Sequence, residues 1–354
     1  MLTVSSALAQ PADWQKTWAE TLAAAKKEGK VVAAGSPDPV MRNMVIPAFQ
    51  ARYGIPVEYI GGQSGQTAAR VRVERASGIY SIDVYLTGPD TTYNVLYAEK
   101  MIDPLRPLLI LPEVTDGGKW KRGKLWFMDK EDQYVLRLFN SLNGQFLINT
   151  EYVKPEEMTS VQDLLNPKWK GKISTEDPTN DSGKGGNTAA TYYAQLGADF
   201  TKKLYVGQQV QISRDRRQLT DWLARGTYPI CLTCRVDDAS TLQKEGFKIV
   251  ELRELTGVQN YVSSSPFMLS AANKPPHPNA QRVFVNWMAG KEALEIYSRN
   301  YDTVTLRADA DESFLDPRTI PQPGVTYWDN DAWEWRSTGK RETGAKFRAL
   351  LKSE

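Results

Sequence analysis

Trp14, Trp18 and Leu22 recur at four-residue spacing, the repeat of one helix face. They predict a helix running to about residue 27 and stopping near Gly29. A short unbroken apolar run at 30–34 follows and reads as a strand buried on both faces of a parallel sheet. Gly35, Ser36 and Pro37 turn the chain. Asp38 then has the chemistry of an N-cap, Pro39 sits at the first helical position and Gly54 ends the helix, with Pro47 predicting a kink or break inside it. The pattern repeats twice: strand 56–60, loop 61–65, helix 66–77; then strand 82–86, a turn at Thr87, Gly88 and Pro89, and helix 91–100. Three strand–loop–helix units with short connections predict an α/β sheet with parallel strands.

Residues 104–130, rich in proline, glycine and lysine, read as irregular surface, and 133–139 and 145–149 as strands. A second unit starts after Glu151. It has a helix at 160–165, a strand near 172–173, the polar glycine-bearing stretch 174–188, and helices at 188–196 and 200–208. A helix at 215–225 puts Leu219, Trp222 and Leu223 on one face, and a strand at 228–232, a helix at 240–245 and a strand at 247–252 complete the unit. From Gly257 the chain returns to the first unit through 261–269, a helix carrying Val283, Phe284, Trp287 and Met288, and another at 293–299. In the tail, Trp328, Trp333 and Trp335 read as packing residues ahead of an amphipathic helix through Phe347, Leu350 and Leu351.

Ligands of such sheets sit beyond the carboxyl ends of the strands. This singles out Ser36, then Gly62, Gln63 and Ser64, then Thr87 and Gly88. In the second unit, Asn180, Ser182, Gly183, Gly185 and Thr188 surround a helix mouth, where free N–H groups and the helix dipole favour an anion. Ser264 lies in a serine run on the return path, and Arg235 at a strand exit supplies positive charge. Capped loops and turn glycines account for the same residues without a ligand, and Arg235 has acidic neighbours, Asp237 and Asp238, to pair with.

A net charge of +2 with 24% charged residues gives no electrostatic case for nucleic acid, and no apolar run is long enough to span a membrane. Ala7, Leu8 and Ala9 before Gln10 read as the end of a secretory signal. The two cysteines, Cys231 and Cys234, would lie roughly 10 Å apart in one extended strand, beyond the ~7 Å that a disulfide spans. A bridge therefore requires a turn around Leu232 and Thr233; buried free thiols are the alternative. Nucleophile-elbow, zinc-protease and P-loop motifs are missing, and the single histidine, His277, is read at the start of a surface helix. The chain reads as a non-enzyme without cofactor or metal.

In its order of motifs the chain resembles the periplasmic solute-binding proteins of ABC importers, and within them the ferric-iron-binding group. The residues that carry this are 45–54, 81–86, 169–172 running into Asp177 and Pro178, 225–230, and 277–280 with 284–287. The resemblance implies a type II periplasmic-binding fold: two α/β lobes, each a mixed sheet flanked by helices, with the ligand cleft between them. On that reading residues 1–9 are residual signal and 10–29 an N-terminal helix. Lobe 1 takes 30–148 and 258–320, lobe 2 takes 149–257, and 321–354 form an aromatic extension packed on a lobe. It further implies a periplasmic monomer that captures a small polar solute for a permease of the inner membrane; the helix mouth and Arg235 point to an anion, such as an organic acid, phosphonate or chelate. Iron-binding members use adjacent tyrosines where this chain has Cys234 and Arg235. Tyr192 and Tyr193 are adjacent but fall on a helix, where packing explains them. Ferric iron is thus the alternative cargo.

Overall fold

A computed structural model describes residues 13–62, 64–181 and 183–352; the side chains of Ser64, Val236, Asp237 and Asp238, and the signal-like residues 1–9, lie outside the described part. Helix α1 (Trp14–Glu28) precedes three repeats: β1 (Val31–Gly35) and α2 (Ile46–Tyr53), β2 (Val57–Gly61) and α3 (Ser64–Ala76), β3 (Val84–Thr87) and α4 (Pro89–Thr91). Next come β4 (Ile102–Asp103), α5 (Pro112–Thr115), β5 (Trp126–Phe127), β6 (Leu136–Arg137), β7 (Ser141–Asn143), β8 (Phe146–Asn149) and β9 (Ile173–Glu176). They are followed by α6 (Lys184–Lys202), β10 (Gln211–Ser213), α7 (Arg216–Ala224), β11 (Ile230–Cys231), α8 (Val236–Lys244) and β12 (Ile249–Leu252). The chain ends with β13 (Tyr261–Ser263), β14 (Met268–Ala272), α9 (Pro278–Met288), α10 (Lys291–Tyr301), β15 (Trp328–Asp329) and α11 (Lys340–Leu351). It divides into two compact units: the first runs to Ser141 and resumes over Ser263–Pro321, and the second takes Leu142–Val262 and everything from Gln322 on.

The first unit is built on the sheet β2-β1-β3-β14-β6-β5, with β4 beside β14. β1 runs parallel to β2 and β3, and β14 antiparallel to β3. All five residues of β1 are buried, as its apolar run requires. α1 ends where Gly29 takes a left-handed φ of 86°, a conformation that costs glycine nothing. Pro47 does not break its helix. The backbone is instead wound as a wider π-turn over Met41–Val45, and Pro47 falls in the first turn of the α-helix that follows, where its missing N–H costs no bond. Phe49 packs its ring against Phe284 and Trp287 at centroid distances of 5.0 and 5.4 Å. Helix α9 is a core helix, not the surface helix expected from its prolines, with Val283, Phe284 and Val285 fully buried. His277, at its N-cap, bonds the buried Asp83 through Nδ1 at 2.9 Å. Residues 104–130 are irregular but not surface: Leu105, Val114, Trp120 and Phe127 belong to the core.

The second unit is built on β10-β9-β11-β8-β12. β10, β9 and β11 are parallel, and β8 is antiparallel to both β11 and β12. α6 replaces the two expected helices: it starts at Lys184 and continues through a kink where Gly197 has φ 82° and ψ 178°. α11 packs along α6, placing Phe347 in the core 5.0 Å from the Tyr205 ring. Trp335 is buried and meets Trp328 edge-on at 5.0 Å, so these tryptophans pack, as the sequence suggested. The buried pair Arg336–Asp331, at 2.9 Å, fixes the turn between them.

Candidate functional site

Strand register determines which loops share an edge. In the first unit Gly35 pairs with both Gly61 and Leu86, so Ser36, Gly62 and Thr87 each stand one residue past a common line. Met268 of β14 pairs with Thr87, so the segment holding Ser264 enters the sheet at this same edge. Ser36 is exposed, and its carbonyl accepts a bond from the Tyr59 hydroxyl at 2.5 Å. The Gly62 N–H donates to the Gly35 carbonyl. Thr87 is buried with its hydroxyl 2.8 Å from that of Thr92, which also donates to the carbonyl of Gly88, so it fixes the start of the next helix. Ser264 is fully buried. Gln63 and the Ser64 side chain lie outside the described residues.

Beside this edge, Asp38 caps its helix by accepting from the Met41 N–H, and also accepts from the hydroxyls of Tyr297 and Tyr301 at 3.0 and 2.8 Å. Burial, reinforced by the negative Asp38, raises the phenol pKa values of Tyr59, Tyr297 and Tyr301. They are therefore held as neutral hydroxyls. Arg42 follows four residues after the cap. Its guanidinium lies over the Tyr59 ring, 5.4 Å from the centroid, beside Gly61. Among the described residues it has no carboxylate partner. The signal for it was in the sequence: a cation in the first turns of a helix opposes the dipole and asks for a reason.

In the second unit β9, β10 and β11 send their carboxyl ends the same way, and the loops before α6, α7 and α8 leave there. Helix α6 starts with Gly183 at its N-cap, so Gly185 and Thr188 lie inside the helix and not before it. Its first amides are engaged by the chain itself: Lys184 and Gly185 donate to the Glu176 carboxylate at 3.1 and 3.3 Å. A Cβ on Gly185 would overlap the carbonyls of Glu176 and Asp177, and one on Gly186 the carbonyl of Asn180. These glycines thus serve close backbone approach. Glu176 went unnoticed because its partners lie eight and nine residues away across a turn. The Asn180 carbonyl accepts from the Gly183 N–H, and Ser182 lies outside the described residues.

The loop after β11 completes this edge. The strand stops at Cys231, the chain turns, and Cys231 and Cys234 form a disulfide with a Cα–Cα distance of 5.6 Å. Of the two alternatives, the turn and bridge are realised. Thr233 accepts through its hydroxyl from the Glu176 N–H at 2.7 Å, and Lys184 Nζ donates to the Cys234 carbonyl at 2.7 Å. Arg235 is the N-cap residue of α8 and exposed; the side chains of Asp237 and Asp238, its expected alternative partners, lie outside the described part. By contrast, Arg214 pairs with Asp177 at 2.9 Å, and Arg348 of α11 pairs with Asp181. Asn180, Gly183, Gly185, Thr188 and Arg235 therefore gather at one edge of the second unit, as Ser36, Gly62, Thr87, Gly88 and Ser264 do in the first.

Residues 30–301 match the family model described as bacterial extracellular solute-binding protein. Among solved structures, the Trichodesmium protein FutA (IdiA), in complex with iron and citrate, superposes with a TM-score of 0.64 at 15% identity over 92% of this chain and 98% of its own. AfuA from Actinobacillus pleuropneumoniae, with fructose-6-phosphate bound, gives 0.62 at 19% over 92% and 99%. The ferric binding protein from Campylobacter jejuni gives 0.66 at 12% over 91% and 99%. At these identities the likeness is one of fold, that of the type II periplasmic binding proteins. Iron uptake protein A1 of a Synechocystis strain is 24% identical over 139 residues, 39% of this chain and 35% of that protein's length. With more than half its length matched by the family model, the chain belongs to the bacterial extracellular solute-binding proteins.

Proposed function

We propose that this protein binds a small anionic solute, without chemistry of its own, and presents it to the permease of an ABC importer as a periplasmic monomer. The observation that carries the reading is the pair Arg42 and Arg235. Each is a guanidinium at the carboxyl-end loops of its unit, set near a helix N-terminus, and Arg42 has no carboxylate partner among the described residues. A cation kept at the positive end of a helix dipole has its charge balanced best by an anion from outside. Ser36, Gln63, Ser64, Gly88, Asn180, Ser182 and Thr188 are the neutral donors of this reading, while Gly62 and Gly183, whose N–H groups bond the Gly35 and Asn180 carbonyls, shape the loops. Thr87, Ser264 and Gly185 belong to the reading as supports of these loops. The disulfide fits an oxidising compartment.

A bare ferric ion fits less well. Among the described residues no group of three His, Cys, Asp or Glu side chains is placed to hold a metal. A ferric chelate such as iron citrate presents carboxylates and stays within the anionic class. Calorimetry with hydroxycarboxylates, phosphonates, sugar phosphates and ferric citrate tests the proposal. At least one is expected to bind, with affinity falling as salt rises. Arg42→Ala and Arg235→Ala should each weaken it by about 10- to 100-fold, the worth of a charge-assisted hydrogen bond. No binding across the panel by folded protein, or unchanged affinity in both variants, overturns it.

A further inference from the structure

The second unit contains a small cavity lined by Gln145, Asn187, Thr188, Thr191, Tyr192, Tyr261 and Asn330. Every one of these side chains is neutral and polar or phenolic. Three of their buried atoms, Asn187 Oδ1, Thr191 Oγ1 and Tyr192 Oη, have no hydrogen-bond partner within the described protein. Thr191 is 6% and Tyr192 2% exposed, so bulk water does not satisfy them. Asn187 already uses its Nδ2 on Asn330 Oδ1 at 3.4 Å, which leaves its carbonyl oxygen in need of a donor. Burial, reinforced by Tyr205 and Tyr261, raises the Tyr192 pKa well above its ordinary value, so the ring carries a hydroxyl and not a phenolate. An unsatisfied group of this kind costs about 1–3 kcal/mol, so three in one cavity call for an occupant. The space open to the centre of a water molecule is about 10 Å³, near the lower limit for holding one.

We infer that a single structural water molecule occupies this cavity. It donates one hydrogen to Asn187 Oδ1 and the other to the oxygen of Thr191 or Tyr192, and accepts from the remaining hydroxyl. Asn187, Thr188, Thr191 and Tyr192 lie on α6, Tyr261 on β13, and Asn330 in the C-terminal segment, where its side-chain oxygen also accepts from Trp335 Nε1 at 3.3 Å. All three of the water's partners therefore lie on α6, while β13 and the C-terminal segment wall the cavity that holds it. This inference stands apart from the identity of any solute.

The sign of a stability change tests it. Thr191→Val and Tyr192→Phe each delete a hydroxyl and keep the shape. If the water is there, each variant loses a bridging bond and its Tm falls by about 2–4 °C. If the cavity is dry, each variant removes an unsatisfied buried hydroxyl and its Tm rises, which overturns the inference. A crystal structure of the wild-type protein should show a density peak within about 3.2 Å of all three atoms, and a cavity without one overturns it too. The Tm of the wild-type protein should be the same in sodium and potassium salts. Dependence on the cation would replace the water by an ion, and a changed solute affinity with unchanged solute-free Tm would replace it by a solute hydroxyl.

Discussion

Asp83 has no exposure and accepts three hydrogen bonds, from the backbone N–H groups of Val32 and His277 and from the His277 ring. Burial raises its pKa, and the bonds from Val32 and His277 only partly oppose this. A raised carboxyl pKa means that folding favours the protonated form, so the contribution is fully present below the ordinary value of about 3.9 and is lost as pH climbs through the folded value. His277→Ala removes one of the bonds that keep the carboxylate charged. At pH 7 the variant should be less stable by about 1.5–3 kcal/mol, the value of a hydrogen bond to a charged group. The deficit should narrow on acidification, as Asp83 protonates more readily in the variant. Urea unfolding at a series of pH values measures this. Solute affinity should stay unchanged, because the pair braces β1 and β3 against α9.

Among the elements, α6 shows where propensity and packing disagree. Exchanging glycine for alanine inside a helix ordinarily gains about 1 kcal/mol. At Gly186 the added methyl meets the Asn180 backbone, and Gly186→Ala is expected to destabilise by about 1–3 kcal/mol and to displace the loop before the helix. A gain in stability by denaturant titration would show that the loop yields freely. The same helix marks what the sequence displayed and what it hid. The repeats β1 to α4 were legible because periodicity and caps are local, down to Asp38 and Gly54. The start of α6 was not, because glycine and asparagine in series look like a loop until one knows that Glu176 caps it from across a turn. Residues 104–130 were misread for a related reason. Trp120 and Leu105 are fixed by distant chain and follow no period, so nothing nearby announces their burial. At the candidate site Arg235 could be found as a strand-exit cation, whereas Arg42 was marked only by a charge that opposes the dipole of its helix.

At the scale of the molecule, the two units carry separate cores. One is centred on α9 and β1, the other on β8, β9 and α6. The disulfide lies wholly within the second unit and closes a loop of a few residues, so the chain-entropy argument assigns it about 2 kcal/mol. Scanning calorimetry with and without reductant should accordingly shift the transition of the second unit alone. An equal shift of both transitions, or of neither, would contradict that assignment.

Neither core is assembled from one continuous stretch. The first needs α9 and β14 after a long excursion, and the second needs Phe347 of α11, which has no exposure at all. A ribosome making this chain thus releases neither globule early. The first interior stays incomplete until the chain through Leu306 has been made, and the second until the codons for the last helix have been read.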